Sequence, residues 1–258
     1  MASIHTTAIV STDAELASGV SVGAYTIIEA GVTIGADTEV GSHCVIKGDT
    51  TIGERNRIFQ FASIGEDPQD KKYAGEPTSL VIGDGNTIRE YCSLNRGTAQ
   101  DKGVTQLGNN NWLMAYVHIA HDCIIGNEAI FANNVTLAGH VTVGDYAIWG
   151  GFSGAHQFAR VGAHAFIANN TGVAKDVPPY VMAAGLPAAP RGINSEGLKR
   201  RGFDADQMKA IKDAFRLLYR SGLRLEEARE KIAELAQERS EIQILAKFLE
   251  HSERGFVR

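Results

Sequence analysis

"VGAYTIIEAGVTIGADTEVG", residues 22–41, carries an aliphatic residue at every sixth position: Val22, Ile28, Ile34 and Val40. Six matches neither the roughly 3.6-residue turn of a helix nor the alternation of an ordinary strand. It fits a short strand followed by a tight corner, with one inward side chain per flat face and glycine supplying permissive backbone at the turn. Backwards, the rhythm reaches Leu16, Val10 and Ile4; forwards, it takes in Ile46, Ile52, Ile58 and Ile64 and keeps its phase at Ile82, Ile88 and Leu94. After one slip it resumes at Leu107 and continues in step through Ile119, Ile125 and Phe131 to Val173. All 26 positions are apolar in a chain that is 44% hydrophobic, so the alignment is not chance. Glycine often follows the periodic residue, as at Gly23, Gly35 and Gly41, and small or β-branched residues often stand two before it, as at Thr26, Val32 and Thr38.

Three such units close a triangular coil of 18 residues. Successive coils stack as parallel strands ~4.8 Å apart, giving about nine coils and a prism on the order of 40 Å tall. The period does not set the hand; parallel crossovers in general are right-handed. Two polar segments, residues 65–81 and 95–106, interrupt the rhythm and are expected to project as loops, where repeat proteins tend to place function. From about residue 190 the period gives way to helical spacing. "DADQMKAIKDAFRLLYRSG" has a capping Asp204 and a terminating Gly222, and "SEIQILAKFLEH" opens on Ser240 as N-cap. The expected organisation is a mainly β prism over 1–189 and a helical domain over 190–258.

The net charge of −5 gives no sign of overall nucleic-acid affinity, but it is unevenly placed. Residues 1–189 hold 10 Lys and Arg against 18 Asp and Glu, whereas residues 190–258 hold 15 against 12, which suggests parts with different partners. The three cysteines, Cys44, Cys92 and Cys123, show no CxxC spacing and fit a reducing compartment. "MASIHTTAIV" has no basic or apolar leader character, and no apolar run approaches the ~20 residues a membrane helix needs. A soluble, cytoplasmic protein is expected.

The 18-residue coil also turns the sequence into a map, because residues i and i+18 become vertical neighbours. Asp122 lies under His140 and Phe158, while His121 lies under Gly139 and Gln157, so the imidazole has an empty side-chain space above it. His156 stands over Ala138 and Ala120. Five of the eight histidines fall between 118 and 164, which corner decoration alone does not explain. Three chemistries could use "HIAHDCIIGN", residues 118–127. A zinc site needs three convergent imidazoles, as in the hexapeptide-repeat γ-class carbonic anhydrase. Cys123 could be a nucleophile, though cysteine is more often simply packed. Alternatively, His121 is a general base, because an imidazole takes and returns protons near neutrality, with Asp122 fixing its tautomer and the Gly139 amide facing a developing oxyanion.

Two further clusters carry charge. "GEDPQDKKYAGEPT", residues 65–78, offers Asp70, Lys71 and Lys72 to a sugar hydroxyl and a phosphate, unless it is merely a solvated loop. Residues 199–224 set eight basic residues, among them Lys199, Arg200, Arg216 and Arg220, against Asp204, Asp206 and Asp213. That excess is either a solvated face or a surface that steers an acidic macromolecule. Sparse aromatic interleaving argues against nucleic acid.

The segments "IFQFASIGEDPQDKKYAGEPT", "NRGT", "MAYVHIAHDCIIGN", "NNVTLAGHVTVGD", "GAHQFARVGAHAFI", "KDVPPYV" and "EGLKRRGF" together resemble the UDP-N-acetylglucosamine O-acyltransferase family of lipid A biosynthesis, over essentially the whole chain. The resemblance implies a left-handed parallel β-helix with a helical C-terminal domain, assembled as a homotrimer with active sites between subunits. The implied reaction moves an (R)-3-hydroxyacyl group from acyl carrier protein to the glucosamine 3-hydroxyl of UDP-N-acetylglucosamine, without cofactor, metal, nucleic acid or integral membrane association. By matching motif, His121 is the implied general base, Asp122 its orienting partner and Gly139 the oxyanion donor. Asp70, Lys72, His118, His140, His156 and Gln157 are implied sugar, phosphate or acyl contacts. Asn194, Glu196 and Arg201 are implied nucleotide contacts. Lys199, Arg200, Arg216 and Arg220 are the expected docking surface for the carrier protein.

Asn169 occupies the position that limits acyl length in relatives. One departure is Asn95, which stands before "RGT" where the family commonly has histidine. The alternatives are the N-acylating enzyme of the same pathway, which typically carries an extra N-terminal domain, a non-enzymatic repeat scaffold, and a metal-dependent lyase.

Overall fold

A computed structural model describes residues 1–252 and 255–258. Its dominant element is a stack of very short parallel strands, two to four residues each, in three sheets of 11, 9 and 8 strands, the last strand of the largest sheet being five residues long and antiparallel. Each of the 26 periodic residues lies in one of the first 26 strands. The register follows the coil: Ile28 pairs with Ile46, Ile46 with Ile64, and Ile119 with Leu137. We call the faces first, second and third in the order the chain visits them, beginning with Ser3–Ile4, Ile9–Val10 and Glu15–Leu16.

Stacking places like side chains over like, and the interior is a set of aliphatic columns. Ile28, Ile46, Ile64, Leu94, Ile119 and Leu137 are all essentially inaccessible, and each contributes about 1.5–3 kcal/mol of apolar burial. On the first face Phe131 and Trp149, both fully buried, stack at 6.1 Å.

From the second coil onward the residue two before each periodic one also points inward, so each six-residue unit there buries two side chains rather than one. Where that second residue is polar, it ties neighbouring coils together. Thr26 donates to the Gly41 carbonyl (2.6 Å) and accepts from the Cys44 amide (3.1 Å). Asn56, Asn86 and Asn111 form a buried ladder in which each side-chain oxygen accepts from the amide of the next coil. These bonds satisfy corner amides that sheet pairing leaves over.

The corner glycines do a different job from the one expected. Most residues with left-handed backbone are not glycine; Tyr25, His43, Asp122 and His140 are examples, with φ between 56° and 65°. Gly23 and Gly35 have ordinary φ, but a Cβ on Gly23 would lie 2.6 Å from the Gly41 carbonyl carbon, and one on Gly35 would lie 2.6 Å from that of Gly53. Close approach of stacked backbones, not conformational freedom, selects glycine there. The left-handed residues form their own stack where the first face turns into the second: Tyr25, His43, Phe61, Tyr91 and Tyr116 lie ring on ring at 4.8–5.2 Å.

Two coils are enlarged. Ile52 pairs with Ile82 and Ile64 with Leu94, 30 residues apart, so 12 residues are inserted. Ile82 pairs with Leu107 and Leu94 with Ile119, 25 apart, an insertion of seven. The projecting loops are residues 67–78 and 96–103, shorter than the expected 65–81 and 95–106, because the pairing strands Ser63–Glu66, Ser79–Ile82, Ser93–Asn95 and Val104–Leu107 extend into their ends. Both leave the prism where the second face turns into the third.

At the far end, Val181–Ala184 and Ala189–Ile193 make an antiparallel hairpin on the first face, so residues 190–193 are strand rather than the start of the helical part. Helices α1 (Ser195–Arg200), α2 (Ala205–Tyr219), α3 (Leu225–Glu238) and α4 (Gln243–Glu250) follow. Asp204 caps α2 in a reciprocal box with Gln207. Ser240 is not a cap; it is the first residue of a 3₁₀ turn, Ser240–Ile242, that leads into α4. Ile211, Ala214, Ile232, Ile242 and Leu249 bury one another, and the Tyr180 hydroxyl donates to the Glu241 carbonyl (2.6 Å), joining this cluster to the prism. No helix among the described residues is long and apolar enough to cross a membrane.

Candidate active site

The corner from second to third face gathers chemistry as well as loops. The strand His118–Ile119 ends there, and the next residues turn with Asp122 in left-handed backbone (φ 58°). Aspartate tolerates that conformation better than most residues. The Asp122 side chain is fully buried and His121 is 5% exposed. Imidazole Nδ1 stands 2.9 Å from Asp122 Oδ2. A carboxylate only accepts, so Nδ1 carries the proton and Nε2 presents its lone pair.

A Cβ on Gly139 would collide with the His121 ring, so the space above the histidine is taken up by its own imidazole. Among the described residues, neither His121 Nε2 nor the Gly139 N–H has a hydrogen-bond partner within the chain. An unpartnered imidazole nitrogen and an unpartnered amide donor thus lie close together.

His140, one coil up, lies edge-on to His121 (4.9 Å), stacks on Phe158 (4.2 Å) and bonds through Nδ1 to Asp101 Oδ2 (2.6 Å). Burial raises the Asp101 pKa, but the His140 bond and the Lys102 charge together hold it below the usual carboxylate range. His118 Nδ1 meets Ser93 Oγ at 2.7 Å, and burial followed by the nearby His121 charge pushes its pKa down. Cys123 is buried, with its thiol pushed up to about 12 by desolvation, and is inert as a nucleophile. One atom each from His121, Asp122 and His140 lies within 4.8 Å of the others, so these three could hold a metal. An ion would have to displace the bonds that already fill the Asp122 carboxylate and His140 Nδ1.

Those bonds come from residues that spacing did not single out. Thr98 donates its N–H to both Asp122 oxygens (3.1 Å each) and its hydroxyl to Oδ2 (2.6 Å). Asn95 Nδ2 donates to the Asp67 carbonyl (2.7 Å), and the buried Arg96 guanidinium bonds to the Asp67 carboxylate, the Gly65 carbonyl and the Tyr73 hydroxyl. Asparagine before "RGT" therefore anchors loop 67–78. The "NRGT" motif was the available signal. Thr98 lies within the inserted loop, 24 residues from Asp122, where neither the 18-residue rule nor the 25-residue offset of this coil points to it.

The remaining expected residues divide by location. Asp70 and Lys72 lie in loop 67–78 on the same corner, with Asp70 Oδ1 accepting from the Lys72 amide (3.0 Å). His156 and Gln157 are exposed farther up the same edge. Beside them, Thr136, Ala138, Gly154, His156, Gly172 and Leu186 line an open apolar groove of about 570 Å³ on the second face.

The structure does not bring Asn194, Glu196 or Arg201 to His121. They sit at the corner from third to first face: Asn194 caps α1 and donates to the His164 carbonyl (3.0 Å), while Arg201 pairs with Glu128 (3.1 Å) and lies over Tyr146. Asn169 is exposed at the corner from first to second face and is not part of the groove lining. Lys199 pairs with Glu196, and Arg216 with Asp213, on the exposed faces of α1 and α2. Glu234 and Glu238 share a groove with Arg216 and Arg220, so the patch is less purely basic than its own segment suggests. Arg200 is exposed.

The repeat architecture and its corner site define a hexapeptide-repeat transferase: residues 105–139 match the bacterial transferase hexapeptide family. Residues 176–257 match the second domain of UDP-N-acetylglucosamine O-acyltransferase. The chain is 59% identical to the acyl-[acyl-carrier-protein]–UDP-N-acetylglucosamine O-acyltransferase of Thiobacillus denitrificans and 55% identical to that of Neisseria gonorrhoeae, with both chains covered in full each time. Among solved structures, LpxA from Acinetobacter baumannii superposes with a TM-score of 0.96 at 50% identity, covering 99% of both chains. The Francisella novicida UDP-N-acetylglucosamine acyltransferase superposes with a TM-score of 0.97 at 48% identity, covering 99% of this chain and 94% of that one. The chain belongs to the acyl-[acyl-carrier-protein]–UDP-N-acetylglucosamine O-acyltransferase family and shares its left-handed parallel β-helix.

Proposed function

We propose that the protein transfers an (R)-3-hydroxyacyl group from acyl carrier protein to the glucosamine 3-hydroxyl of UDP-N-acetylglucosamine, the first step of lipid A biosynthesis. The observation that carries the reading is the buried His121–Asp122 pair with Nε2 open beside the Gly139 amide. In this mechanism His121 Nε2 takes the proton of the 3-hydroxyl as its oxygen attacks the thioester carbonyl. The negative charge forming on the carbonyl oxygen is met by the Gly139 N–H. Collapse breaks the carbon–sulfur bond, and the imidazolium returns the proton to the departing thiolate. Asp122 holds the tautomer and offsets the positive charge that develops on the ring.

The edge-to-edge division of site residues supports a homotrimer whose sites form between subunits. His121 and loop 67–78 on one edge would then meet Asn194, Glu196 and Arg201 from a neighbour. Lys199, Arg200, Arg216 and Arg220 form the docking surface for the acidic carrier protein, in the cytoplasm, with no role for nucleic acid.

The test is to incubate purified protein with UDP-N-acetylglucosamine and a mixed pool of 3-hydroxyacyl carrier proteins and weigh the products. A single O-linked acyl adduct is expected from the wild type. His121→Ala should lower turnover by on the order of 10²–10⁴. Near-normal turnover in a folded His121→Ala protein would remove the general-base assignment.

A further inference from the structure

We infer that Thr98 is a positioning residue for the acyl-transfer reaction, acting through Asp122 on His121; the inference rests on the general-base reading of His121. Thr98 is 1% exposed and Asp122 fully buried, so the bonds between them are shielded from water. The Thr98 hydroxyl ends on Asp122 Oδ2, the same oxygen that faces His121 Nδ1. Oδ2 also lies 3.9 Å from His140 Nδ1, which is already bonded to Asp101. The carboxylate thus has two histidines within reach, and the Thr98 hydroxyl decides how its plane is set between them.

The threonine is itself held in place. Its carbonyl accepts from the amides of Asp101 (3.2 Å) and Gly103 (3.0 Å), so residues 98–103 fold on themselves at the prism corner. That one insertion supplies Thr98 to Asp122 and Asp101 to His140. A merely structural tie needs only the backbone contact. Here a second, side-chain donor is spent on the oxygen that orients the proposed base. Without the hydroxyl, Oδ2 keeps only the longer Thr98 amide contact and His121, so the carboxylate plane is held less firmly against the pull of His140 and the His121 ring is less firmly directed.

Thr98→Val keeps size and backbone but removes the hydroxyl. The expected result is a fall in kcat of on the order of 10- to 100-fold, typical of losing a hydrogen bond to a charged group. KM for UDP-N-acetylglucosamine should stay within about twofold, and Thr98→Ser should restore most of kcat. In an Asp122→Ala background, Thr98→Val should cost less than about twofold more, because the group it acts through is gone. Should the valine protein fail to fold, Thr98→Ala carries the same comparison.

Wild-type kcat in folded Thr98→Val, or a loss fully additive with Asp122→Ala, overturns the inference. His121→Ala is measured beside them. If it is inactive while Thr98→Val is normal, only the role of Thr98 fails. If it retains normal turnover, the general-base reading fails and takes this inference with it.

Discussion

At the scale of the residue, the site is built from one empty position. Any side chain at 139 must push the His121 ring, because a Cβ there would collide with its Cε1 and Nε2. Gly139→Ala is therefore expected to displace the imidazole from the carboxylate that orients it. Turnover should fall by at least about 10-fold, while the melting temperature drops only as for a modest packing change. Steady-state kinetics beside a thermal melt checks this, and unchanged kcat would mean the ring has another resting place. The pairing of His121 with Gly139 and of Asp122 with His140 was legible in the sequence, because both obey the 18-residue stacking rule. Thr98, Asp101 and Arg96 were not, because loop insertions change the offset and spacing carries no information about where a loop folds back. The inward residue two before each periodic one was visible as a preference for small and β-branched types. Its burial follows from the tightness of the corner, which the period does not describe.

At the scale of the element, the aromatic column at the corner from third to first face makes a pH prediction. His164 stacks between Tyr146 (4.8 Å) and Tyr180 (5.6 Å), with Phe203 edge-on. Burial, followed by the Arg201 charge, pushes its pKa down from 6.5 to about 4. The folded state therefore resists protonation that the unfolded chain accepts. In this window the unfolded state binds more protons, so stability is intact above pH 6.5 and declines as pH falls towards 4. His164→Phe keeps the ring stack, and the Asn194 bond to the residue-164 carbonyl is made by the backbone. It should flatten this part of the stability curve, as measured by urea denaturation from pH 7 to pH 4. An unchanged slope would assign the acid loss to other groups, His118 first, since its pKa is also depressed. The helices themselves were readable from caps and periodicity. Ser240 misled because a serine that opens a 3₁₀ turn looks, in sequence, like one that caps a helix.

At the scale of the whole molecule, the distribution of site residues over two edges predicts a property that no single chain can show. In the proposed trimer, dissociated His121→Ala and Arg201→Ala proteins, each weakly active, should regain transfer when mixed and reassembled, because some boundaries then pair an intact His121 with an intact Arg201. Recovery to a sizeable fraction of wild-type rate per correct boundary is expected. No recovery in mixed assemblies verified by mass would place a complete site within one chain. The two enlarged coils have a consequence of their own. Ile64 still meets Leu94 across 12 extra residues, and Leu94 still meets Ile119 across seven, so the periodic positions keep their register, with one local shift between Ile64 and Glu66 where loop 67–78 departs. Twelve is a multiple of the repeat and seven is not, yet both bring the next periodic residue back into register. That corner is a port at which segments of different length are spliced into the stack, any slip being absorbed within a residue or two of the join. A lineage can thus rewrite what surrounds the histidine while the scaffold that aims it stays fixed.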